Sequence, residues 1–387
     1  MAPDNPTEPI LIAGAGIGGL TAANALRRLG FETEIFERAP ALEPVGAGIL
    51  LQSNAGRMLD HLGLLDAVRA VGWPFSEGDI RRADGRRLGC ISGELLHSPS
   101  AMVGIHRADL QRILLQDAGP VHLGLAVESA EQDQDSVQVT LSDGSTRRGA
   151  LIIGADGIHS AVRRQLHGDH DPVYAGYTCW RGLCPADPDL YDGFTMFEAW
   201  GRGNRFGVLR IAEDRVYWFA VQNAPAGTVG DPSSRKDEVQ RLFAGYAEPV
   251  PGLIESTPAD AILHHDLVDR APIKAWGHGR ITLLGDAAHP MTPNMGQGAG
   301  QSIEDGLVLA RHLKSAPDLV TGLRRYEKAR RDRANGFVTR SRAMGRLGQL
   351  ESPVLCALRN TLLGLTPDWV TRRQMRRILE PTPLPTT

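Results

Sequence analysis

Gly14-Ala15-Gly16-Ile17-Gly18-Gly19 follows directly on the apolar run Ile10-Leu11-Ile12-Ala13 and has the spacing Gly-x-Gly-x-x-Gly. A turn of this kind, between a buried strand and a helix, offers free backbone N–H groups and the positive end of a helix dipole to a diphosphate. Gly14 permits the tight turn, Gly16 lets the backbone approach a pyrophosphate, and Gly19 allows close helix–strand packing. Glu37 lies 18 residues past Gly19, at the end of the next apolar run, where a carboxylate accepts from ribose hydroxyls. Arg38, next to it, joins the candidate set. The pattern points to a dinucleotide, and by itself it leaves FAD and NAD both open.

Two further turns follow apolar runs in the same way. Leu151-Ile152-Ile153 opens onto Gly154-Ala155-Asp156-Gly157, with Arg163 in the helix beyond. Ile281-Thr282-Leu283-Leu284 opens onto Gly285-Asp286-Ala287-Ala288-His289-Pro290, then through Pro293 to Gly296-Gln297-Gly298-Ala299. Taken with the first turn, these resemble the Asp-Gly and Gly-Asp fingerprints of the FAD-dependent aromatic-ring hydroxylases, the group A flavin monooxygenases. The similarity covers nearly the whole chain. It lies nearest the branch of salicylate and 6-hydroxynicotinate hydroxylases, urate hydroxylase and zeaxanthin epoxidase.

That resemblance selects FAD. Asp286, at a strand end, is expected to accept from ribityl hydroxyls. The turn 296–300 is expected to lead into a helix near Gln301, whose N–H groups face the pyrimidine edge of the flavin. Gly48, in Val45-Gly46-Ala47-Gly48-Ile49, should lie against the ring, Arg107 near the phosphate–ribityl region, and Val127 near the adenine. In the family, the motif carrying Asp156 and Arg163 serves both FAD and a nicotinamide cofactor. It therefore implies a single-component enzyme that takes electrons from NADH or NADPH. The implied reaction uses O2, through a flavin C4a-hydroperoxide, to hydroxylate or epoxidise a small aromatic or unsaturated substrate.

Catalytic candidates come from the same resemblance. Arg205 aligns with an arginine near flavin and substrate in urate hydroxylase, and Tyr217 with a substrate-contacting tyrosine. Read alone, Arg205 serves equally as an exposed strand residue, whereas Tyr217 reads as sheet core rather than as a catalyst. Asn294 departs from the aspartate of urate hydroxylase, which puts urate in doubt as the substrate. A flavin-dependent halogenase is disfavoured, because no Trp-x-Trp occurs and the first lysine is Lys236. The non-enzymatic alternative is an FAD-fold protein that sequesters a partner.

The elements that must position these residues imply an α/β fold. A Rossmann-like FAD-binding domain is expected over 1–72, 101–171 and 266–317. An inserted, mostly antiparallel β-sheet substrate domain is expected over 73–100 and 172–265, with one face lining a cavity, and a C-terminal helical region over 318–387. Near the start, the pattern predicts a helix over 20–29 and a strand over 32–36. Toward the end it predicts a long helix through 326–350, broken at Pro353, a short helix after Pro367, and a frayed tail over 381–387.

Composition fits this class. Of 387 residues, 42% are hydrophobic and 22% charged, values of an ordinary globular chain. A net charge of −3 argues against a nucleic-acid partner, although residues 318–387 carry a local +8. The basic final helix, with Arg372, Arg373, Arg376 and Arg377 opposed to Met375, Ile378 and Leu379, either packs on the flavin domain or makes weak membrane contact. Cys90, Cys179, Cys184 and Cys356 match no metal or disulfide spacing, and no metal is expected. MAPDNPTEP has no secretory pattern, so a cytoplasmic location is expected. The sequence does not indicate an oligomeric state.

Overall fold

The computed structural model describes residues 6–42, 47–75, 77–92, 102–187 and 196–385. Val45 and Gly46 of the flavin-facing stretch lie outside these residues, as do 93–100 of the expected substrate domain.

Ile10–Ala13 is the pivot of a six-stranded sheet ordered Gly277–His278, Ile281–Leu283, Leu151–Gly154, Ile10–Ala13, Thr33–Glu37 and Val121–Leu123. Only the edge hairpin of Gly277–His278 with Ile281–Leu283 is antiparallel. Ile10, Leu11 and Ile12 are all fully buried, as expected of a parallel strand covered on both faces. Each such side chain contributes roughly 1.5–3 kcal/mol. The first helix runs Ile17–Arg28, so it starts inside the glycine turn rather than after it, and the second strand ends on Glu37 itself. Gly306 of the Gly298–Ser315 helix lets the two helices touch, since a Cβ there would meet the Ala22 nitrogen at 2.8 Å.

A second sheet has seven strands, ordered Leu263–Asp269, Val173–Pro185, Arg215–Asn223, Asn204–Arg210, Met196–Trp200, Glu77–Arg82 and Arg87–Ser92. All its pairings are antiparallel except Met196–Trp200 with Glu77–Arg82. Its last-joining strand extends to Asp269, past the expected limit at 265. Alternation separates the two faces of the sheet. Trp180, Cys184, Phe206, Val208 and Trp218 pack with Val239, Phe243 and Leu253 from the helices Arg235–Phe243 and Val250–Glu255. Those two helices were not foreseen within 172–265. His264 and His265 lie inside a strand, and His264 stacks on Trp180 at 4.0 Å.

The chain then forms a 30-residue helix, Leu319–Gly348, followed by Pro353–Gly364 and Asp368–Leu379. The break falls at 349–352, and Pro353 opens the next helix behind the N-cap Ser352, because proline suits the first helical turn. The tail is not frayed throughout. Thr382 is 8% exposed and bonds to Glu304 through both its N–H (3.1 Å) and its hydroxyl (2.9 Å).

That contact belongs to a sealed ionic cluster. Arg330 of the long helix is fully buried and donates to Asp305 (Nε, 2.7 Å), Glu304 (Nη1, 2.5 Å) and Gln301 Oε1 (Nη2, 2.7 Å). Burial alone would push both carboxyls up. Arg330 and Arg333 beside Glu304, and His289 and Arg330 beside Asp305, overcome that effect and hold each at about 2. Glu304→Ala leaves the buried guanidinium undercompensated and is expected to lower unfolding free energy by about 3–5 kcal/mol, measured by urea titration. Both carboxyls ordinarily titrate higher, at 4.5 and 3.8, so their stabilisation is complete above those values and is lost as pH falls toward about 2. Thermal midpoints of the wild type should therefore fall across that acid window, and those of Glu304→Gln should fall less steeply.

Candidate active site

Register places the three motifs together. Ala13, Gly154 and Leu283 are neighbours across adjacent parallel strands, so the turns after them open at one edge of the sheet. A Cβ on Gly14 would meet the Ala155 oxygen at 2.5 Å, and Gly14 takes φ +100°, which favours glycine. Around Gly16 the space is open: beyond its chain neighbours, no atom of the described residues lies within 4 Å of where its Cβ would be.

Glu37 turns back onto this loop. One carboxylate oxygen accepts the Ala15 N–H at 2.8 Å and the other the Ala39 N–H at 2.9 Å. Each oxygen keeps acceptor capacity for a ribose hydroxyl. Arg38 is exposed beside it. Gly124 and Leu125 donate backbone bonds to Ala39 and Glu37, both at 2.9 Å, which brings the buried Val127 to this end of the crevice. Gln111 donates to the Ala15 carbonyl at 2.8 Å, a support that no sequence motif marks.

Arg107 heads the helix Arg107–Leu115 with its side chain exposed, and its charge acts on Asp286. Asp286 faces open space, yet the surrounding walls push its carboxyl up, against the pull of His289 and Arg107. Asp156 accepts the Ala161 N–H at 2.7 Å through one oxygen, while its other oxygen is buried and finds no donor among the described residues. Burial likewise raises the Asp156 carboxyl. Arg163 is placed differently from its expected cofactor contact. It is buried, with Nη1 donating to the carbonyls of Ala287 (2.9 Å) and Ala288 (3.0 Å), and so it braces the Asp286 turn from behind. His289, fully buried, sits 2.6 Å from Asp305 through Nε2.

At the other end of the crevice, Pro293–Met295 forms a short 3-10 turn closed by Gly296 at φ +61°. Pro293 is exposed, and Gly298 and Ala299 begin the helix Gly298–Ser315, with nothing among the described residues crowding a Cβ on Gly298 within 4 Å. The first-turn N–H groups of a helix have no partners within it. Gln52 pins the turn by donating to the Met295 carbonyl (2.9 Å) and accepting from Gln297 (2.6 Å). Gly48 faces the seven-stranded sheet, where a Cβ would meet Tyr217 at 2.5 Å and Ile211 at 2.8 Å. Any other residue there would push the strand Gly48–Leu51 away from that sheet.

The sheet face turned toward Gly48 is the one opposite those two helices, and at one margin its Arg205 and Tyr177 meet Gly348 and Gly345 of the long helix. Leu209, Ile211 and Tyr217 cluster there with Leu50, Leu183, Met196 and Phe219. Burial raises the Tyr217 phenol well above its ordinary range, opposed by Arg181, so it stays protonated. Arg205 lies on this face as well, at 2% exposure rather than on the surface. It donates to Glu198 Oε1 at 2.9 Å and, through Nη2, to Asn294 Oδ1, while its buried Nε finds no acceptor among the described residues. Asn294 in turn donates 2.8 Å bonds to the Tyr177 hydroxyl and the Ser341 carbonyl. A carboxylate could not donate to that carbonyl, so the position is built for an amide.

Among the described residues, a loop open at Gly16, Asp286 and one Asp156 oxygen without a hydrogen-bond partner, and a helix start bare at Gly298 fit an FAD laid along the crevice. Comparison with known proteins agrees. A family model described as "FAD binding domain" matches residues 7–341. The chain is 45% identical to aurachin C monooxygenase/isomerase of Stigmatella aurantiaca, over 97% of this chain and 98% of that one. It is 35% identical to 2-heptyl-3-hydroxy-4(1H)-quinolone synthase of Pseudomonas aeruginosa, over 95% and 97%. Among solved structures, Klebsiella pneumoniae HpxO complexed with FAD and uric acid superposes with a TM-score of 0.89, at 31% identity and 96% coverage of both chains. The chain thus belongs to the FAD-binding family of flavin-dependent aromatic-ring hydroxylases.

Proposed function

We propose that the chain is a single-component FAD-dependent monooxygenase that takes hydride from NADH or NADPH and uses O2 to hydroxylate a heteroaromatic ring bearing an apolar chain. The observation that carries this reading is the composition of the face opposite Gly48: Leu50, Leu183, Met196, Leu209, Ile211 and Phe219 surround a single phenol, that of Tyr217. Relatives of nearly full length support it, one of them named for a ring that carries both a heptyl chain and a hydroxyl. In this reading the six-stranded sheet and its helices, 1–72, 101–171 and 266–317, hold the cofactor. The second unit, 73–100 and 172–265, whose seven-stranded sheet extends to Asp269, holds the substrate.

When bound, FAD supplies hydride acceptance and oxygen activation. The chain's own work is to orient and to keep water out. Asp286, Glu37 and the N–H groups at 298–300 fix the cofactor, with Arg107 beside them. Arg205 and Asn294 join the substrate sheet to the flavin turn and so set the distance between ring and substrate. Tyr217, protonated, donates to an oxygen of the substrate ring.

Three outcomes are expected. Tyr217→Phe should lower kcat/KM by about tenfold, the loss of one buried hydrogen bond, with FAD content unchanged. Across a series of 2-alkyl-4-quinolones, kcat/KM should rise about three- to fourfold per methylene until the chain fills the face. Product formed per NAD(P)H consumed should drop in Asn294→Asp, because the carboxylate loses the Ser341 bond and shifts the turn. Flat dependence on chain length, with product from polar purines such as urate instead, would refute the apolar reading.

A further inference from the structure

Among the described residues, eleven large hydrophobic side chains are exposed, and six of them are Val354, Leu355, Leu358, Leu362, Leu365 and Trp369. Single exposed apolar residues are ordinary, but a cluster confined to sixteen consecutive positions is not. On the helix Pro353–Gly364, Val354, Leu355, Leu358 and Leu362, with Leu365 just past its end, fall within an arc of about 100°. Cys356 and Arg359, on the other side of that helix, are buried against the body of the protein. The stripe is therefore an outward face and not a packing seam.

The next helix, three residues on, exposes charge. Arg372, Arg373, Arg376 and Arg377 of Asp368–Leu379 are exposed, and at 3.6 residues per turn they share a side with Trp369. Its other side, Met375, Ile378 and Leu379, packs on Phe75, Met102, Leu50 and Met196. Leu50 and Met196 belong as well to the apolar cluster around Tyr217. Between 352 and 379 Asp368 is the only acidic residue. No helix among the described residues is long and apolar enough to cross a membrane.

We propose that these two helices form a docking surface for an anionic lipid bilayer, the leucine stripe entering the acyl boundary and the arginines meeting the headgroups. Charge selects this occupant. An apolar stripe alone would suit a second copy of the chain, but four exposed arginines on the adjoining helix would repel their own image across an isologous contact. Exposed arginines beside leucines and a tryptophan suit an anionic lipid interface. The inner side of the last helix adjoins the Tyr217 cluster through Leu50 and Met196, so a lipophilic substrate would have an apolar route from bilayer to site. The docking itself does not depend on the proposed reaction.

The test is co-sedimentation of the FAD-loaded full chain with vesicles of phosphatidylglycerol and phosphatidylcholine, or of phosphatidylcholine alone. Binding to the anionic vesicles is expected, weakened by salt. Leu358→Glu/Leu362→Glu and, separately, Arg372→Glu/Arg373→Glu should each reduce the partition coefficient by on the order of tenfold or more, with the flavin absorbance spectrum preserved. Equal sedimentation with both vesicle types, no sedimentation, or variants that bind like wild type would overturn the proposal. Sedimentation velocity without lipid tests the rival occupant. A dimer abolished by Leu358→Glu/Leu362→Glu would assign the face to a second copy.

Discussion

Arg330 has no access to water, and much of the site's architecture is arranged around that fact. A buried guanidinium is tolerable only if its charge and its hydrogen-bonding groups are answered nearby. Glu304 and Asp305 answer the charge from consecutive positions on the helix that starts beside the proposed flavin turn. Asp305 also accepts the Gly285 N–H at 3.0 Å, and His289 lies against it, so the turn carrying Asp286 is fastened to the same anchor. Asn54 bonds to both Glu304 and Gln297, extending the anchor to the 296–298 segment. Thr382 closes the cluster from the far end of the chain. One cation thus fixes the relative positions of two turns, the one proposed for the ribityl chain and the one proposed for the flavin ring.

The second constraint is the division of labour between the faces of the seven-stranded sheet. Period-two alternation puts Trp180, Phe206 and Trp218 on the side covered by helices. It leaves Arg205, Leu209, Tyr217 and Phe219 facing Gly48. Shape complementarity is tight where the sheet meets the flavin-binding half, since Gly48 has no room for a Cβ. Polar contacts at its margins include the Arg205–Asn294–Tyr177 chain and the Arg215–Asp109 ion pair at 3.6 Å. Such a junction holds distance by apolar packing and orientation by a few directed bonds, as a site that must exclude water requires.

Much of this was legible in the sequence, and the reason is locality. The glycine turns, Glu37, Asp156 and Asp286 each follow an apolar run within a few residues, so strand, turn and ligand group are read as one unit. The resemblance to aromatic-ring hydroxylases then supplied the order in which the units assemble. What escaped was non-local or ambiguous. Gln111, Gln52 and Asn54 act on partners 96 to 250 residues away, and no spacing announces them. Arg163 sits in a recognised motif, but its direction is set by carbonyls 124 and 125 residues further on. In sequence Pro353 is equally a helix terminator and a helix starter, and nothing local marks Thr382 as anchored, because its partner, Glu304, is buried in another helix.

The central claim is that the crevice and the apolar face together insert one oxygen atom from O2 into a lipophilic heteroaromatic ring. It is tested most directly by single-turnover incubation of the FAD-loaded protein with NADH or NADPH, isotopically labelled O2 and a 2-alkyl-4-quinolone, with the product read by mass spectrometry. The account predicts a hydroxylated product carrying one labelled oxygen, in near-stoichiometric yield with the reductant consumed. Reductant consumption that yields only hydrogen peroxide, across substrates of every chain length, would contradict it.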